Sequence, residues 1–247
     1  MIYRFFEGIG EYFLFLREVF SRPEHWKEYY RSFLREVELL GFSSIALVCF
    51  ISLFMGAVVL IQTAINLDNP FLADSYIAIA VREAIILEFA PTIVSLILAG
   101  KVGSNIASTL GTMRVTEQMD ALRVMGINPA SYLVLPKIIA CLIFFPILVI
   151  FGMGMGLTGG YLAGDLLNLV NTEVYLSGYF MEFFPHYVTY SLTKTLVFAF
   201  IIATVSAYFG YKVEGGAVEV GKASTKSVVA MSFSIILFNY ILTDLIL

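Results

Sequence analysis

Residues 138–164, with the sequence IIACLIFFPILVIFGMGMGLTGGYLAG, form an uninterrupted run of 27 uncharged residues. A helix needs roughly 20 apolar residues to cross a bilayer core about 30 Å thick. The run therefore predicts a transmembrane helix. Three more stretches between charged residues repeat the pattern, with 29, 17 and 17 uncharged residues: 39–67, 195–211 and 227–243.

The composition of the whole chain agrees with a membrane protein. Of its 247 residues, 59% are hydrophobic and 14% are charged, and the mean hydropathy is +0.87. Soluble domains carry about 25% charged residues, so an ordinary soluble enzyme, a disordered tail and a disulfide scaffold are excluded. The net charge of −4 also argues against a nucleic-acid partner, which would require a basic face. Cys49 and Cys141 lie in apolar runs and are expected to be core residues.

A fifth span is less uniform than the other four because it carries three charged residues, Glu83, Glu88 and Lys101. With this span included, the sequence predicts an all-α integral membrane protein with five transmembrane helices. The predicted spans lie near residues 43–67, 82–110, 135–164, 187–211 and 226–246.

The positive charges predict the topology. Thirteen of the 15 Lys and Arg residues lie in the segments 1–41, 101–137 and 212–226, and the intervening loops 68–81 and 165–186 contain none. Lys and Arg concentrate in cytoplasmic segments of membrane proteins. We therefore predict a cytoplasmic amino terminus and a carboxyl terminus on the outer side, in agreement with an odd number of spans.

The first 41 residues lack the apolar region of a cleavable signal peptide and instead show helical periodicity. Two apolar stripes are separated by Pro23: Ile2, Phe5, Ile9, Phe13, Leu16 and Phe20, then Trp26, Tyr30, Phe33, Val37 and Leu40. Such amphipathic helices usually lie in the plane of the lipid headgroups. We predict an interfacial elbow over residues 1–41, followed by a five-span core over residues 42–247. A cytoplasmic helical hairpin packed on the protein is the alternative.

Known catalytic and metal-binding motifs are absent from the sequence. The two histidines, His25 and His186, are far apart, and there is no HExxH, GxSxG or Cys/His cluster. Residues 216–224, GAVEVGKAS, nearly match a P-loop, but Ala223 occupies the position where Ser or Thr would hold Mg²⁺. We interpret this stretch as a cytoplasmic loop, and we expect no enzymatic activity, metal or cofactor in this chain.

Glu88 is the principal candidate for a functional residue, because an ionisable group within a span is energetically costly. At ~1.5 Å per residue it lies roughly 20 Å above Lys101, in the outer half of the membrane. Pro91 is expected to loosen the helix there. An amphiphile's headgroup and a proton path are the functional hypotheses. A carboxylate paired with Arg82 or Lys194 is the structural alternative.

Residues 112–129 predict a short amphipathic helix on the cytoplasmic side. Thr116 is the expected cap, and Gly126 and Pro129 are the expected stop signals. The apolar stripe consists of Val115, Met119, Leu122 and Met125. At about 15 Å the helix is too short to span a membrane. A docking site for a soluble partner and a simple surface turn are equally compatible with this pattern.

Span three contains glycines at a constant spacing of four residues: Gly152, Gly156, Gly160 and Gly164. Overlapping GxxxG units allow helices to approach closely. We favour packing within one subunit over a dimer seam or a sliding surface.

Several motifs occur in the order typical of one transporter family. They are Glu88-Phe-Ala-Pro91, Leu98-Ala-Gly-Lys-Val-Gly103, Leu110-Gly-Thr-Met-Arg-Val-Thr-Glu-Gln-Met-Asp-Ala-Leu122, Met125-Gly-Ile-Asn-Pro129 and Gly221-Lys-Ala-Ser-Thr-Lys-Ser-Val-Val229. From about residue 20 onward, the chain resembles the MlaE-type permeases. It departs from their pattern at three positions. Lys101 stands where members have Arg, Thr109 stands where they have Glu, and Leu87 stands where they often have Arg.

The resemblance implies the permease subunit of an ATP-driven ABC transporter, which moves phospholipid or a related lipid between the inner and outer membranes of a bacterial envelope. It implies a homodimer, a cytoplasmic ATPase dimer that carries ATP and Mg, and an MCE-family ring on the periplasmic side. The lipid would enter a cavity between two permease copies, close to Glu88, Pro91, Arg82 and Leu87. The short cytoplasmic helix, a connector over residues 114–126, would be a coupling helix that contacts the ATPase through Arg114, Glu117, Gln118, Asp120, Ala121, Leu122, Arg123 and Gly126.

A proton- or ion-coupled secondary transporter that uses Glu88 is the competing hypothesis. Such proteins often contain inverted repeats and several intramembrane charges. No convincing repeat is present, and five spans cannot be divided into two equal halves. A purely structural scaffold is a weaker third possibility, and the expected location is a bacterial inner membrane.

Overall fold

The computed structural model of the protein describes residues 2–21, 26–67 and 74–246. Within these ranges every regular element is a helix. The α helices are α1 (Ile2–Val19), α2 (Trp26–Glu36), α3 (Ser43–Asn66), α4 (Asp74–Ala84), α5 (Val94–Leu98), α6 (Ser104–Val115), α7 (Gln118–Val124), α8 (Pro129–Leu166), α9 (Thr172–Phe180), α10 (Pro185–Tyr211) and α11 (Ala217–Ile246). Three π-helical segments connect consecutive α helices: Val37–Phe42, Ile85–Ile93 and Ala99–Gly103. The predicted all-α class is confirmed.

Five continuous helical stretches in the described ranges are long and apolar enough to cross a membrane: Tyr29–Asn66, Ser75–Val115, Pro129–Leu166, Pro185–Tyr211 and Ala217–Ile246. These are spans one to five, and their number confirms the prediction. Each begins earlier in the chain than predicted. The helices continue into their charged flanks, where long polar side chains can reach water.

The predicted elbow consists of two parts. α1 is a separate helix, whereas α2 continues through the π segment Val37–Phe42 into span one. On α1, Phe15 and Val19 are buried, while the predicted apolar stripe is exposed at Ile9, Phe13 and Phe20. An exposed apolar stripe suits a helix in the headgroup plane. Parts of the elbow prediction lie outside the residues whose side chains the structure describes: Ile2, Phe5, Pro23, His25 and Trp26.

The prediction of a loop over residues 216–224 is wrong, because α11 begins at Ala217. The helix starts where the N–H of Glu219 donates to the carbonyl oxygen of Gly216 at 3.0 Å. Glu219 and Lys222 then form an ion pair at 2.8 Å on adjacent turns, which supports the helix locally. The connection before α11 contains Gly215 at φ +116°, a backbone conformation that favours glycine.

The predicted loop 165–186 contains a helix, α9, that the charge pattern does not reveal. The side chain of Asn171 caps it by accepting a hydrogen bond from the N–H of Glu173 at 3.1 Å. α9 packs closely on α4, since a Cβ atom on Gly178 would lie 2.5 Å from the carbonyl oxygen of Ser75. The helix therefore depends on a contact with a distant part of the sequence.

The residues form two compact units. The first, which includes α1 and α7, contains Met1–Phe42, Leu98–Phe144 and Phe198–Phe238. The second, which includes α4 and α9, contains Ser43–Ile97, Phe145–Val197 and Asn239–Leu247. The connector helix thus belongs to the first unit and Glu88 to the second. A single permease domain over residues 1–247 stays a prediction.

Glycines allow α3 and α8 to pack backbone against backbone in the second unit. A Cβ atom on Gly56 would lie 1.8 Å from the carbonyl oxygen of Gly156, and one on Gly159 would lie 1.9 Å from that of Leu53. Neither position has room for a side chain. Packing of the glycine stripe within one chain is confirmed, because all four predicted glycines face atoms of this chain: Gly152, Gly156, Gly160 and Gly164.

We expect Gly159→Ala to lower the thermal stability strongly, because the added methyl group must push the two backbones apart. Overpacking an interior costs about 1–3 kcal/mol, and a backbone contact leaves little room for relaxation. Gly154→Ala is the matched control, since a Cβ atom at Gly154 on the same helix meets nothing within 4 Å. Thermal melting in detergent should show a lower Tm for Gly159→Ala alone. Equal Tm values for the two variants would contradict this packing.

Candidate functional site

Glu88 lies in the π-helical segment Ile85–Ile93 of span two, together with Pro91. Proline lacks the N–H that an α helix requires, so a wider π turn accommodates it. The prediction that Pro91 loosens the helix is confirmed. Single π turns within helices are frequent at functional sites.

Four polar groups from three spans surround the carboxylate of Glu88. Its Oε1 atom accepts a hydrogen bond from Lys194 Nζ at 2.7 Å, and its Oε2 atom accepts one from Asn239 Nδ2 at 3.1 Å. The hydroxyls of Thr243 and Thr92 lie 3.3 and 3.5 Å from these oxygens, and both also donate to Asn239 at shorter distances. The carboxylate therefore holds residues of spans two, four and five together within the second unit.

The two charges of this pair differ in their exposure. The Lys194 side chain is fully buried, whereas the Glu88 side chain is 41% exposed. The Lys194 ammonium also lies 4.5 Å from the ring centroid of Tyr190, a cation–π contact. The Tyr190 hydroxyl donates to Thr243 Oγ1 at 3.0 Å and extends the network. The ammonium is enclosed, whereas the Glu88 side chain is partly exposed.

Arg82 and Glu88 were both predicted to lie close to the substrate, and Arg82 was also a candidate partner of Glu88. In the structure, Arg82 does not bind Glu88. Its buried guanidinium donates to three backbone carbonyl oxygens near the end of α9: Tyr179 and Met181 at 2.8 and 2.7 Å, and Glu182 at 3.1 Å. Unpaired carbonyl groups at a helix end require such donors. The structure thus supports Lys194, and not Arg82, as the basic partner of Glu88. Leu87 lies in the same π segment and is partly buried.

The predicted connector helix is shorter than residues 114–126. Span two continues to Val115, and α7 covers only Gln118–Val124. Between them Glu117 adopts a left-handed φ of 60°, which ends one helix and allows the next to begin. The predicted stop is confirmed, since Gly126 has φ +82° and Pro129 begins α8.

Thr116 is not the N-cap of α7, because Glu117 occupies that position, so that prediction is wrong. Its hydroxyl donates to the carbonyl oxygen of Thr112 one turn earlier, at 2.8 Å. Ser and Thr side chains commonly form this bond in helices. The Thr116 oxygen accepts a hydrogen bond from Gln118 Nε2 at 3.0 Å and not from a backbone N–H of α7.

Charged residues fix α7 to its surroundings within the first unit. Asp120 forms ion pairs with Arg114 at 2.9 Å and with Arg123 at 3.5 Å. Arg123 also donates to the Tyr211 hydroxyl at 2.8 Å. This hydrogen bond, with smaller effects from nearby carboxylates, raises the pKa of Arg123. Met119 completes the attachment, since it is fully buried.

The remaining surface of α7 is open. Val124 and Met125 are 90% and 64% exposed, and they form an apolar patch with polar neighbours. Of the predicted contact residues, Glu117, Gln118, Ala121 and Gly126 are exposed and Leu122 is partly buried. Val124 was not predicted, because it lies off the apolar stripe that the sequence suggested.

A sequence profile described as permease MlaE matches residues 33–245. The chain belongs to the MlaE permease family. A probable ABC transporter permease of Rickettsia conorii is 37% identical over 98% of this chain and 93% of its own length. A probable ABC transporter permease of Synechocystis is 33% identical over 86% of this chain and 81% of its own. The chloroplastic protein TRIGALACTOSYLDIACYLGLYCEROL 1 of Arabidopsis thaliana is 30% identical, over 89% and 61%.

Membership of the MlaE permease family confirms the resemblance carried by the sequence motifs. The chain is an ABC permease subunit, and an ABC transporter permease implies an ATPase partner. Lys194, on span four, supplies the cation that binds Glu88 here.

Proposed function

We propose that this permease moves phospholipid or a related lipid between the inner and outer membranes of a bacterial envelope, driven by ATP. The observation that carries the proposal is the partly exposed side chain of Glu88, whose carboxylate is fixed by polar groups of three membrane spans. A fixed carboxylate beside apolar surface suits an amphiphile with a donor-bearing headgroup. The Arabidopsis relative, named after a galactosylated diacylglycerol, supports a lipid substrate.

The proposed assembly is a homodimer with a cytoplasmic ATPase dimer and a periplasmic MCE-family ring. ATP and Mg are held by the ATPase, which contacts α7 through its open surface. The membrane is the bacterial inner membrane, with the amino terminus cytoplasmic and the carboxyl terminus periplasmic. The distribution of Lys and Arg supports this orientation, since 13 of the 15 lie in the segments assigned to the cytoplasm.

In the proposed mechanism, a lipid enters a cavity between the two permease copies and its headgroup meets Glu88. ATP-driven closure of the ATPase subunits pushes on α7, and the cavity collapses. The acyl chains are then displaced toward the ring. Binding of the headgroup favours the open state of the cavity, so ATP must supply the energy that drives collapse and release.

Reconstituted complex in liposomes with labelled phospholipid distinguishes this mechanism from its main competitor. We expect ATP-dependent lipid transfer that continues after ionophores collapse all ion gradients. A secondary transporter built on Glu88 is the second candidate, since the carboxylate lies in a polar network within the spans. Lipid transfer that is independent of ATP and is abolished by the ionophores would support that candidate and contradict the proposal.

A further inference from the structure

The elbow helix α1 and the coupling helix α7 meet at one side chain, that of Tyr211 at the end of α10. Its hydroxyl accepts a hydrogen bond from Arg123 Nη2 of α7 at 2.8 Å and donates to Glu18 Oε1 of α1 at 3.4 Å. One phenol group therefore connects the two helices, using both the donor and the acceptor capacity of its hydroxyl.

The ring of Tyr211 contacts the same two helices. Its centroid lies 5.2 Å from that of Phe15 on α1, and the Arg123 guanidinium carbon lies 5.9 Å from it. Aromatic pairs and cation–π contacts at these distances add to the hydrogen bonds. Replacing Tyr211 by Phe would thus remove the polar connection and keep the ring contacts.

A second connection lies just after α7. The Asn128 side chain donates to the carbonyl oxygen of Glu18 at 3.1 Å and to Ser21 Oγ at 2.7 Å. Its own oxygen accepts from the N–H of Ala130 at the start of α8. The carboxyl-terminal part of α1 is therefore tied to both α7 and the turn that follows it.

α1 is itself firmly held along α10. The Tyr12 hydroxyl lies 2.7 Å from Thr204 Oγ1, and Tyr208 donates to Glu11 Oε2 at 3.1 Å. Glu11 also forms an ion pair with Lys212, and together these two contacts lower the pKa of its carboxyl. A helix with this many attachments can resist displacement of a second helix bound to it.

We propose that Tyr211 is a positioning residue that locks the coupling helix α7 to the elbow helix α1, so that the two move as one body when an ATPase subunit pushes on α7. This inference rests on the proposed function, because it assigns a role within the ATP-driven cycle. Without the lock, α7 would yield locally, and ATP hydrolysis would continue with less lipid moved per ATP.

Tyr211→Phe tests the lock, with Tyr208→Phe as the matched control. Tyr208 lies one turn earlier on α10 and also bonds α1, but among the described residues its hydrogen bonds and ring contacts involve none of α7. In reconstituted complexes, we expect Tyr211→Phe to assemble normally and hydrolyse ATP within about twofold of the unmodified rate, while the lipid moved per ATP falls roughly fivefold or more. Tyr208→Phe should keep the ratio. An unchanged ratio in Tyr211→Phe, or an equal fall in Tyr208→Phe, would overturn the proposal.

Hydrogen exchange supplies a readout that does not depend on transport. In the nucleotide-free complex, backbone amides 118–127 should exchange roughly tenfold faster in Tyr211→Phe, because α7 opens locally when its attachment weakens. Tyr208→Phe should leave these amides unchanged. Unchanged exchange in Tyr211→Phe would overturn the lock. If the unmodified complex moves no lipid with ATP, the proposed function fails, and the exchange result still decides whether the lock exists.

Discussion

Replacing Glu88 by Ala is expected to abolish most ATP-driven lipid transfer and to destabilise the protein. The change leaves the fully buried Lys194 ammonium without its counter-charge. Breaking a fully buried pair costs roughly 3–5 kcal/mol, and we expect about 2 kcal/mol here because Glu88 is partly exposed to solvent. Transfer should fall roughly tenfold or more if the carboxylate binds the headgroup. Thermal melting and liposome transfer measure the two effects separately.

The double variant Glu88→Ala/Lys194→Met separates stability from transport. Removing the buried ammonium together with its partner should restore most of the lost stability, because no uncompensated charge remains. Transport should stay low, since the carboxylate is still missing. Glu83→Gln is the control, as Glu83 is another carboxylate of the same helical stretch and pairs with Arg82. Recovery of transport in the double variant would contradict a binding role for Glu88 and favour a purely structural one.

Replacing Val124 by Asp is expected to remove the ATPase from the purified complex while the permease stays folded. Val124 is 90% exposed, so its substitution cannot disturb the interior of this chain. A charge placed in an apolar contact patch must be desolvated when a partner binds, which weakens binding strongly. We expect the amount of co-purified ATPase to fall roughly tenfold or more.

Val218→Asp is the matched control for this prediction, because Val218 is also a highly exposed valine near a helix end in the first unit. Its substitution should leave ATPase binding and Tm unchanged. Equal ATPase binding in Val124→Asp and the unmodified protein would show that α7 is not the docking helix. A lower Tm in Val124→Asp would mean that the substitution acts through folding instead.

The long helices were predictable because an uncharged run of sufficient length has few alternatives to a membrane span. α9 was not, because it depends on contacts such as that between Gly178 and Ser75, which are about 100 residues apart in sequence. The start of α7 was also mispredicted. Glu117 has a left-handed backbone conformation, which is uncommon for a residue other than glycine. The local sequence instead favours Thr116 as the N-cap.

The site was predictable only in part. Glu88 is conspicuous as a charge within a span, and Lys194 was one of two partners considered. Asn239 and Thr243 could not be found, because they are uncharged and lie about 150 residues from Glu88. Arg82 was the other partner considered for Glu88, whereas its hydrogen bonds go to carbonyl groups, which leave no trace in the sequence pattern.

Purification of the tagged permease from its native host in mild detergent tests the central claim most directly. The eluate is analysed for the ATPase subunit by quantitative mass spectrometry and for bound lipid by extraction. We predict an ATPase subunit near a one-to-one ratio and phospholipid in the extract, with less lipid in Glu88→Ala/Lys194→Met. A permease that elutes without an ATPase, or whose lipid content does not depend on Glu88, would contradict the account of an ATP-driven permease that binds lipid at this carboxylate.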